Sequence, residues 1–153
     1  MRIAIGSDHA GFVLKEQVRA ELVRLGHTVE DVGTDSAEVS VDYPDYGIAV
    51  GERVADGRAE RGVVVCATGI GISIAANKVE GVRASVVTSE DTARLTRADN
   101  DSNVLALGAK TTPQAAEALA WLRVWLETPF AGGRHERRVN KIKDYEAKHS
   151  QRS

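Results

Sequence analysis

Short apolar runs that end in glycine or a small polar residue alternate along this chain with longer segments whose apolar residues recur every three or four positions. The first pattern is that of a strand covered on both faces and the second that of an amphipathic helix, so their regular exchange is a βαβ rhythm. Ile3-Ala4-Ile5 reads as the first strand, and Phe12, Val13, Val18, Leu22 and Leu25 as a helical stripe that stops at Gly26. Thr28 to Val32 gives a second strand, and a loop rich in Asp and Ser leads to a helix from about Tyr43 to Ala55. Three consecutive valines in Gly62 to Cys66 mark a central strand. A helix over Gly71 to Val79, a strand over Arg83 to Val87, a helix over Glu90 to Ala98 and a strand over Asn103 to Leu107 follow. Thr112-Pro113 reads as the start of a long helix through Ala120, Leu122 and Trp125, since Thr caps well and Pro suits a first turn. A last helix, about residues 134–150, occupies a basic tail. Five strands with right-handed crossovers predict an α/β fold, an open parallel sheet of the doubly wound kind in a single domain over residues 1–153.

Sheets of this kind bind ligands at the carboxyl ends of their strands. Here those ends read Gly6-Ser7-Asp8-His9, Cys66-Ala67-Thr68-Gly69, Thr88-Ser89 and Gly108-Ala109-Lys110. Charge narrows the ligand class. Arg134 to Ser153 holds seven Lys/Arg against three Asp/Glu, while the residues before it hold thirteen against nineteen. A mildly acidic chain that is only 5% aromatic offers neither a broad phosphate-binding face nor stacking platforms, so no nucleic-acid partner is expected and a local anion site fits the tail better. No run approaches the roughly 20 apolar residues of a membrane span, and the opening apolar run is too short for a signal-peptide core. The expected location is the cytoplasm, with no membrane partner. The single cysteine, Cys66, excludes an internal disulfide and a cysteine-cluster zinc site.

Three constellations carry chemistry, each with a plain structural alternative. Cys66-Ala67-Thr68-Gly69-Ile70-Gly71 joins the central strand to a helix through two glycines, which let backbone N–H groups turn toward a bound oxyanion at a helix terminus. It is neither a nucleoside-triphosphate loop nor a dinucleotide fingerprint. Cys66 is either a thiol whose pKa that terminus lowers or a small buried residue closing the strand. Asp8-His9 could orient a hydroxyl, transfer a proton or bind phosphate, or could cap the helix that starts near Gly11. Arg134 and Arg138, four apart after Gly132-Gly133, share a helical face on which two guanidinium forks could grip one phosphate, or they belong to a solvated helix start. Trp121 and Trp125 read as a core or subunit-interface stripe. His27 and His149 lack a third partner at ligand spacing, so no metal site is expected.

Taken together, the segments GSDHAGF (Gly6 to Phe12), DYPDY (Asp42 to Tyr46), CATGIGISIAANK (Cys66 to Lys78), GVRA (Gly81 to Ala84), DNDSNVLALGAK (Asp99 to Lys110) and GGRHERRV (Gly132 to Val139) resemble the ribose-5-phosphate isomerase B and galactose-6-phosphate isomerase family. They fall in order along nearly the whole chain. The resemblance implies a Rossmann-like three-layer sandwich with a five-stranded parallel sheet. It also implies a homodimer or dimer of dimers with active sites between subunits, and no metal or organic cofactor. The implied reaction is aldose–ketose interconversion of a phosphorylated sugar through a cis-enediol. Cys66 would be the base that moves a proton between C1 and C2, with the N–H groups around Gly69 and Gly71 and the Thr68 hydroxyl as oxyanion donors. Asp8 would orient sugar hydroxyls, and His9, Arg134 and Arg138 would bind phosphate with Lys110 adding charge. Tyr43 and Asn100 would line the site.

One departure bears on the substrate. Where ribose-5-phosphate isomerases of this type carry a ring-opening histidine, this chain has Asp99. A four-carbon 4-phosphate has O4 esterified and cannot close to a furanose, so it needs no ring opener. Asp99 therefore points to D-erythrulose 4-phosphate and D-erythrose 4-phosphate. A carboxylate that itself takes the anomeric proton would instead leave D-ribose 5-phosphate and D-ribulose 5-phosphate. A third possibility, from another class, is a non-catalytic sugar-phosphate sensor or partner subunit.

Overall fold

In a computed structural model, which describes residues 1–150, the chain runs through β1 (Arg2–Ser7), α1 (Phe12–Arg24), β2 (Thr28–Asp31), α2 (Tyr43–Ala55), β3 (Arg61–Cys66), α3 (Ile70–Asn77), β4 (Ala84–Val86), α4 (Glu90–Asn100), β5 (Val104–Gly108), α5 (Ala115–Glu127) and α6 (Arg134–His149). The last three residues, counted in the tail's charge and in the expected domain, lie outside that description. All strands pair in parallel, in the order β2-β1-β3-β5-β4. The order reverses between β1 and β3, which opens a crevice at the carboxyl ends of those two strands.

Alternation along the strands divides the core into two layers. Ile3, Ile5, Val63, Val65, Leu105 and Leu107 face α1 and α5, where Leu14, Val18, Leu22, Leu122 and Trp125 meet them. Ala4, Val64, Cys66, Val104 and Ala106 face α2 and α3 and pack on Val50, Ile72 and Ala76. Each fully buried Val, Leu or Ile contributes roughly 1.5–3 kcal/mol, and both layers are continuous across the sheet. Helices on both faces make the expected three-layer sandwich. The second layer is thin because its residues are small. At Gly47 of α2 a Cβ would sit 2.8 Å from the Ile72 carbonyl oxygen, so a larger residue would push α2 off α3.

Several details differ from the sequence reading, each for a tertiary reason. Val13 and Leu25, expected on the buried stripe of α1, are 61% and 38% exposed, whereas Lys15 and Glu21 are buried in their place. α5 does not start at Thr112-Pro113 but at Ala115, with Gln114 before it. The residues after β5 first extend its pairing with β3, Ala109 N–H to Cys66 O and Lys110 N–H to Ala67 O, and a turn from Gly108 to Thr112 must then redirect the chain. α4 runs past the expected Ala98 to Asn100 and ends at Asp101, which takes a left-handed φ of 49°. Trp121 and Trp125 are 7% and 0% exposed, which makes them core.

Two polar clusters lock the first layer. Arg97 of α4, 5% exposed, donates to the carbonyls of Ser102 and Thr128 and to Asp101, and Trp125 Nε1–H donates to Ser102 Oγ at 2.9 Å. Glu21 of α1, 7% exposed, accepts from Arg24 of its own helix and, at 2.6 Å, from Arg123 of α5. The Arg24 hydrogen bond holds the Glu21 carboxyl below its ordinary value of 4.5 against the opposing effect of burial, with Arg123 adding to it. A carboxyl depressed in the folded state stabilises the fold above its unfolded pKa and loses that contribution as pH falls through the folded value. Glu21→Gln is therefore expected to cost about 1 kcal/mol at pH 7, roughly 2–4 °C in Tm. Thermal denaturation should show the deficit shrinking as pH drops below 4.5.

Candidate active site

Around the crevice the carboxyl ends of β1, β3 and β5 bring one group of residues together. Asp8, 7% exposed, accepts the Gly11 N–H at 3.0 Å and so caps the turn into α1. Its second carboxylate oxygen makes no hydrogen bond among the described residues. His9 Nδ1 accepts the Val41 N–H at 3.1 Å. A nitrogen that accepts carries no proton, so the neutral ring keeps its hydrogen on Nε2, as a donor.

Cys66 ends β3 at 4% exposure, and the Gly69 N–H donates to its Sγ at 3.2 Å. Gly69 has a φ of 76°, and a Cβ there would lie 2.9 Å from the Leu107 carbonyl carbon, so the turn that aims this amide at sulfur requires glycine. Thr68 Oγ1 accepts the Ile70 N–H at 3.2 Å, leaving its hydroxyl hydrogen to donate elsewhere. The Tyr43 ring lies over Gly71, where a Cβ would meet it at 2.7 Å, so this tyrosine roofs the start of α3. Lys110 joins the same rim through its N–H to Ala67 O at 2.8 Å, its side chain exposed.

The other candidates lie elsewhere. Asp99 and Asn100 occupy the last turn of α4, which runs antiparallel to the strands and ends just before β5 begins. Asn100 O accepts from Arg83, the residue before β4, at 3.1 Å. α6 crosses the same edge. The Ala131 N–H that precedes it bonds Ala98 O at 3.0 Å, and Glu146 near its far end accepts the Gly81 N–H at 3.0 Å. Arg134 and Arg138, both exposed, therefore stand with Asp99 and Asn100 at the amino ends of the strands. A strand of five or six residues, roughly 16–20 Å, separates them from Cys66. Within one chain the two groups do not meet. Asp99 has a partner that sequence reasoning missed: His135 of α6, whose Nε2 is 3.4 Å from Asp99 Oδ1. The two residues are on different helices, and nothing in their spacing signals the pair. Among the described residues no cluster of three or more His, Cys, Asp or Glu could hold a metal, and no helix is long and apolar enough to cross a membrane.

A model of the ribose/galactose isomerase family matches residues 3–142, the span that contains every residue of both groups. The chain belongs to that family. It is 44% identical over 141 residues to ribose-5-phosphate isomerase B of Escherichia coli, covering 92% of this chain and 93% of the other. It is 37% identical over 147 residues to D-erythrulose-4-phosphate isomerase of Pectobacterium atrosepticum, covering 95% of each. Ribose-5-phosphate isomerase B of Clostridium thermocellum superposes with a TM-score of 0.94 at 49% identity, over 97% of this chain and 99% of that one. Membership makes the chain a sugar-phosphate isomerase with a Rossmann-like fold.

Proposed function

We propose that this isomerase interconverts a short aldose phosphate and its ketose through a cis-enediolate, with Cys66 as the base. The observation that carries the reading is the placement of the lone cysteine at the end of β3, its sulfur accepting the Gly69 N–H in the turn that also holds Thr68. In the ketose-to-aldose direction the Cys66 thiolate takes a proton from C1. The C1–H electron pair becomes the C1=C2 bond, and the carbonyl pair moves onto O2. That oxyanion is met by the N–H groups around Gly69 and Gly71 and by the Thr68 hydroxyl, each such donor contributing ~3 kcal/mol to the barrier reduction. The thiol then returns its proton to C2, O1 gives up its proton as C1=O forms, and O2 takes one. Asp8 orients hydroxyls with its second oxygen, His9 Nε2–H and Lys110 bind phosphate, and Tyr43 lines the site.

The remaining residues, Asp99, Asn100, Arg134 and Arg138, reach this crevice only from a second copy of the chain. We therefore propose a homodimer, or a dimer of dimers, with each site shared between subunits. Exposed apolar side chains near both groups support this: Ile70 and Ile74 on α3, and Ile142 and Tyr145 on α6. In this arrangement the whole chain is one isomerase domain whose C-terminal helix carries the phosphate-binding arginines. Retention of Cys66, Thr68, Gly69 and Gly71 favours catalysis over a sensor or inactive partner subunit.

The preferred substrate pair is D-erythrulose 4-phosphate and D-erythrose 4-phosphate, because position 99 is a carboxylate and an acyclic tetrose needs no ring opening. The His135 imidazole beside Asp99 favours a second reading, D-ribose 5-phosphate, since the pair has a place to hold an anomeric proton. Comparing kcat/KM for the two sugars separates them. The wild type should prefer the tetrose by more than about tenfold, and Asp99→His should narrow the gap by raising activity on the pentose. A wild-type preference for the pentose, with no gain from the substitution, would overturn the tetrose assignment.

A further inference from the structure

Lys15 is a buried charge that the reaction does not use. It lies on the inner face of α1 between Leu14 and Val18, its side chain 1% exposed, with Nζ 5.2 Å from the Phe12 ring centroid. The ammonium donates to both oxygens of Asp31, at 2.8 and 2.6 Å. Burying the ammonium is costly even with a partly exposed carboxylate to pair with it, and an apolar side chain of similar volume is often neutral or stabilising at such a position, so stability alone gives no reason for it.

Its geometry suggests another role. Asp31 Oδ1 also accepts the Gly33 N–H at 2.9 Å. Gly33 in turn accepts the Ser7 N–H at 2.8 Å, and the Thr34 N–H donates to Ser7 O at 2.8 Å. Ser7 is the last residue of β1, directly before Asp8 and His9. The lysine thus fixes a carboxylate, the carboxylate fixes the start of the loop over residues 32–42, and the loop start grips the end of β1. Further along, the same loop closes on the site, where the Val41 N–H caps His9 Nδ1 at 3.1 Å. That amide is what keeps the ring proton on Nε2. If the loop shifts, Nδ1 loses its donor, and the imidazole is free to turn or to carry its proton on the wrong nitrogen.

We propose that Lys15 and Asp31 are positioning residues for phosphate binding, acting through this loop on the orientation and tautomer of His9. The inference rests on the reading of His9 as a phosphate ligand given above. Neither residue touches substrate, so the step they affect is binding rather than proton transfer at carbon.

The test uses the full-length enzyme with inorganic phosphate as the probe, in wild type, Lys15→Met, Lys15→Arg, His9→Asn and Glu21→Gln. The last variant removes a buried charge further along α1, one that pairs with Arg123 of α5 rather than with Asp31. Lys15→Met is expected to weaken the phosphate Kd and raise KM about tenfold, the loss of one well-placed charge-assisted hydrogen bond, with kcat within about threefold of wild type. Nitrogen NMR of His9 should show the Nε2–H tautomer in wild type and a mixture in Lys15→Met. Lys15→Arg, which keeps the charge, should recover part of the phosphate affinity, and Glu21→Gln should lower Tm without moving Kd. If Lys15→Met does not fold, Asp31→Asn reads the same quantities, since it keeps an acceptor for Gly33 and loses the ion pair. A folded Lys15→Met with unchanged Kd, KM and His9 tautomer overturns the proposal, as does a fall confined to kcat. His9→Asn separates the two levels. If it too leaves Kd and KM unchanged, the phosphate role of His9 fails and the proposal with it; if it weakens binding while Lys15→Met does not, only the relay through the loop is overturned.

Discussion

Cys66→Ala is expected to lower kcat/KM by about 10³-fold, within the range a positioned general base contributes, while the protein stays folded and still binds phosphate. The substitution removes one sulfur, which accepts the Gly69 N–H, from a residue that belongs to the same buried apolar layer as Val64 and Ala106. The void it leaves is small, so the cost in stability is of order 1 kcal/mol. The decisive readout is exchange of the C1 proton of the ketose with solvent deuterium, which follows proton abstraction even when product is not released. Exchange that persists at the wild-type rate would remove Cys66 from the mechanism. Cys66→Ser should be nearly as inactive as the alanine variant, because a hydroxyl is a far weaker acid than a thiol and forms the anionic base much less readily.

A second large effect follows from the division of the candidate residues between the two ends of the sheet. Arg138→Ala, which removes a proposed phosphate contact from the far edge, and Cys66→Ala, which removes the proposed base, should each abolish most activity alone. Refolded together in equal amounts, they should recover about a quarter of the wild-type activity. Random pairing makes half the dimers mixed, and in each mixed dimer one of the two sites receives both intact halves. A double variant carrying both changes on one chain, mixed with wild type, keeps the mixed dimers inactive and provides the control. If the two single variants recover nothing when mixed, each site belongs to one chain, and the shared assembly is wrong.

Much of this fold is legible in the sequence because a doubly wound sheet writes its plan locally. Three valines in a row can only be comfortable with helices on both sides, and Gly69, after Cys66-Ala67-Thr68, announces a turn that ordinary side chains resist. The carboxyl-end rule then collects Asp8, His9, Cys66, Thr68 and Lys110 without any coordinates. The same topology also implies that a residue in the last turn of a helix preceding a strand, such as Asp99 before β5, lies at the opposite edge. That consequence emerges only when each candidate is assigned to an end of its element rather than to a motif. The start of α5 was not legible, because Thr112 and Pro113 are good helix starters by propensity, and what overrides them is the pairing of Ala109 and Lys110 with the carbonyls of Cys66 and Ala67. Lys15 was hidden for a related reason. In the sequence it looks like one more charged residue on an amphipathic helix, and only the end of β2 beside it, carrying Asp31, makes a buried ammonium tolerable. Similarly, the Asp99–His135 contact depends on how α6 folds back along the edge of the sheet, which no local pattern encodes.

The seclusion of the lone cysteine has a practical corollary. With one sulfhydryl per chain, 4% exposed at the floor of the crevice, any reagent that labels thiols on the folded protein reports a single chemical position. Labelling stoichiometry therefore counts intact crevices before any substrate has been chosen, and protection by a sugar phosphate ranks candidate ligands by occupancy rather than by turnover. A molecule that shields the sulfur without being converted would be an inhibitor found through the same measurement.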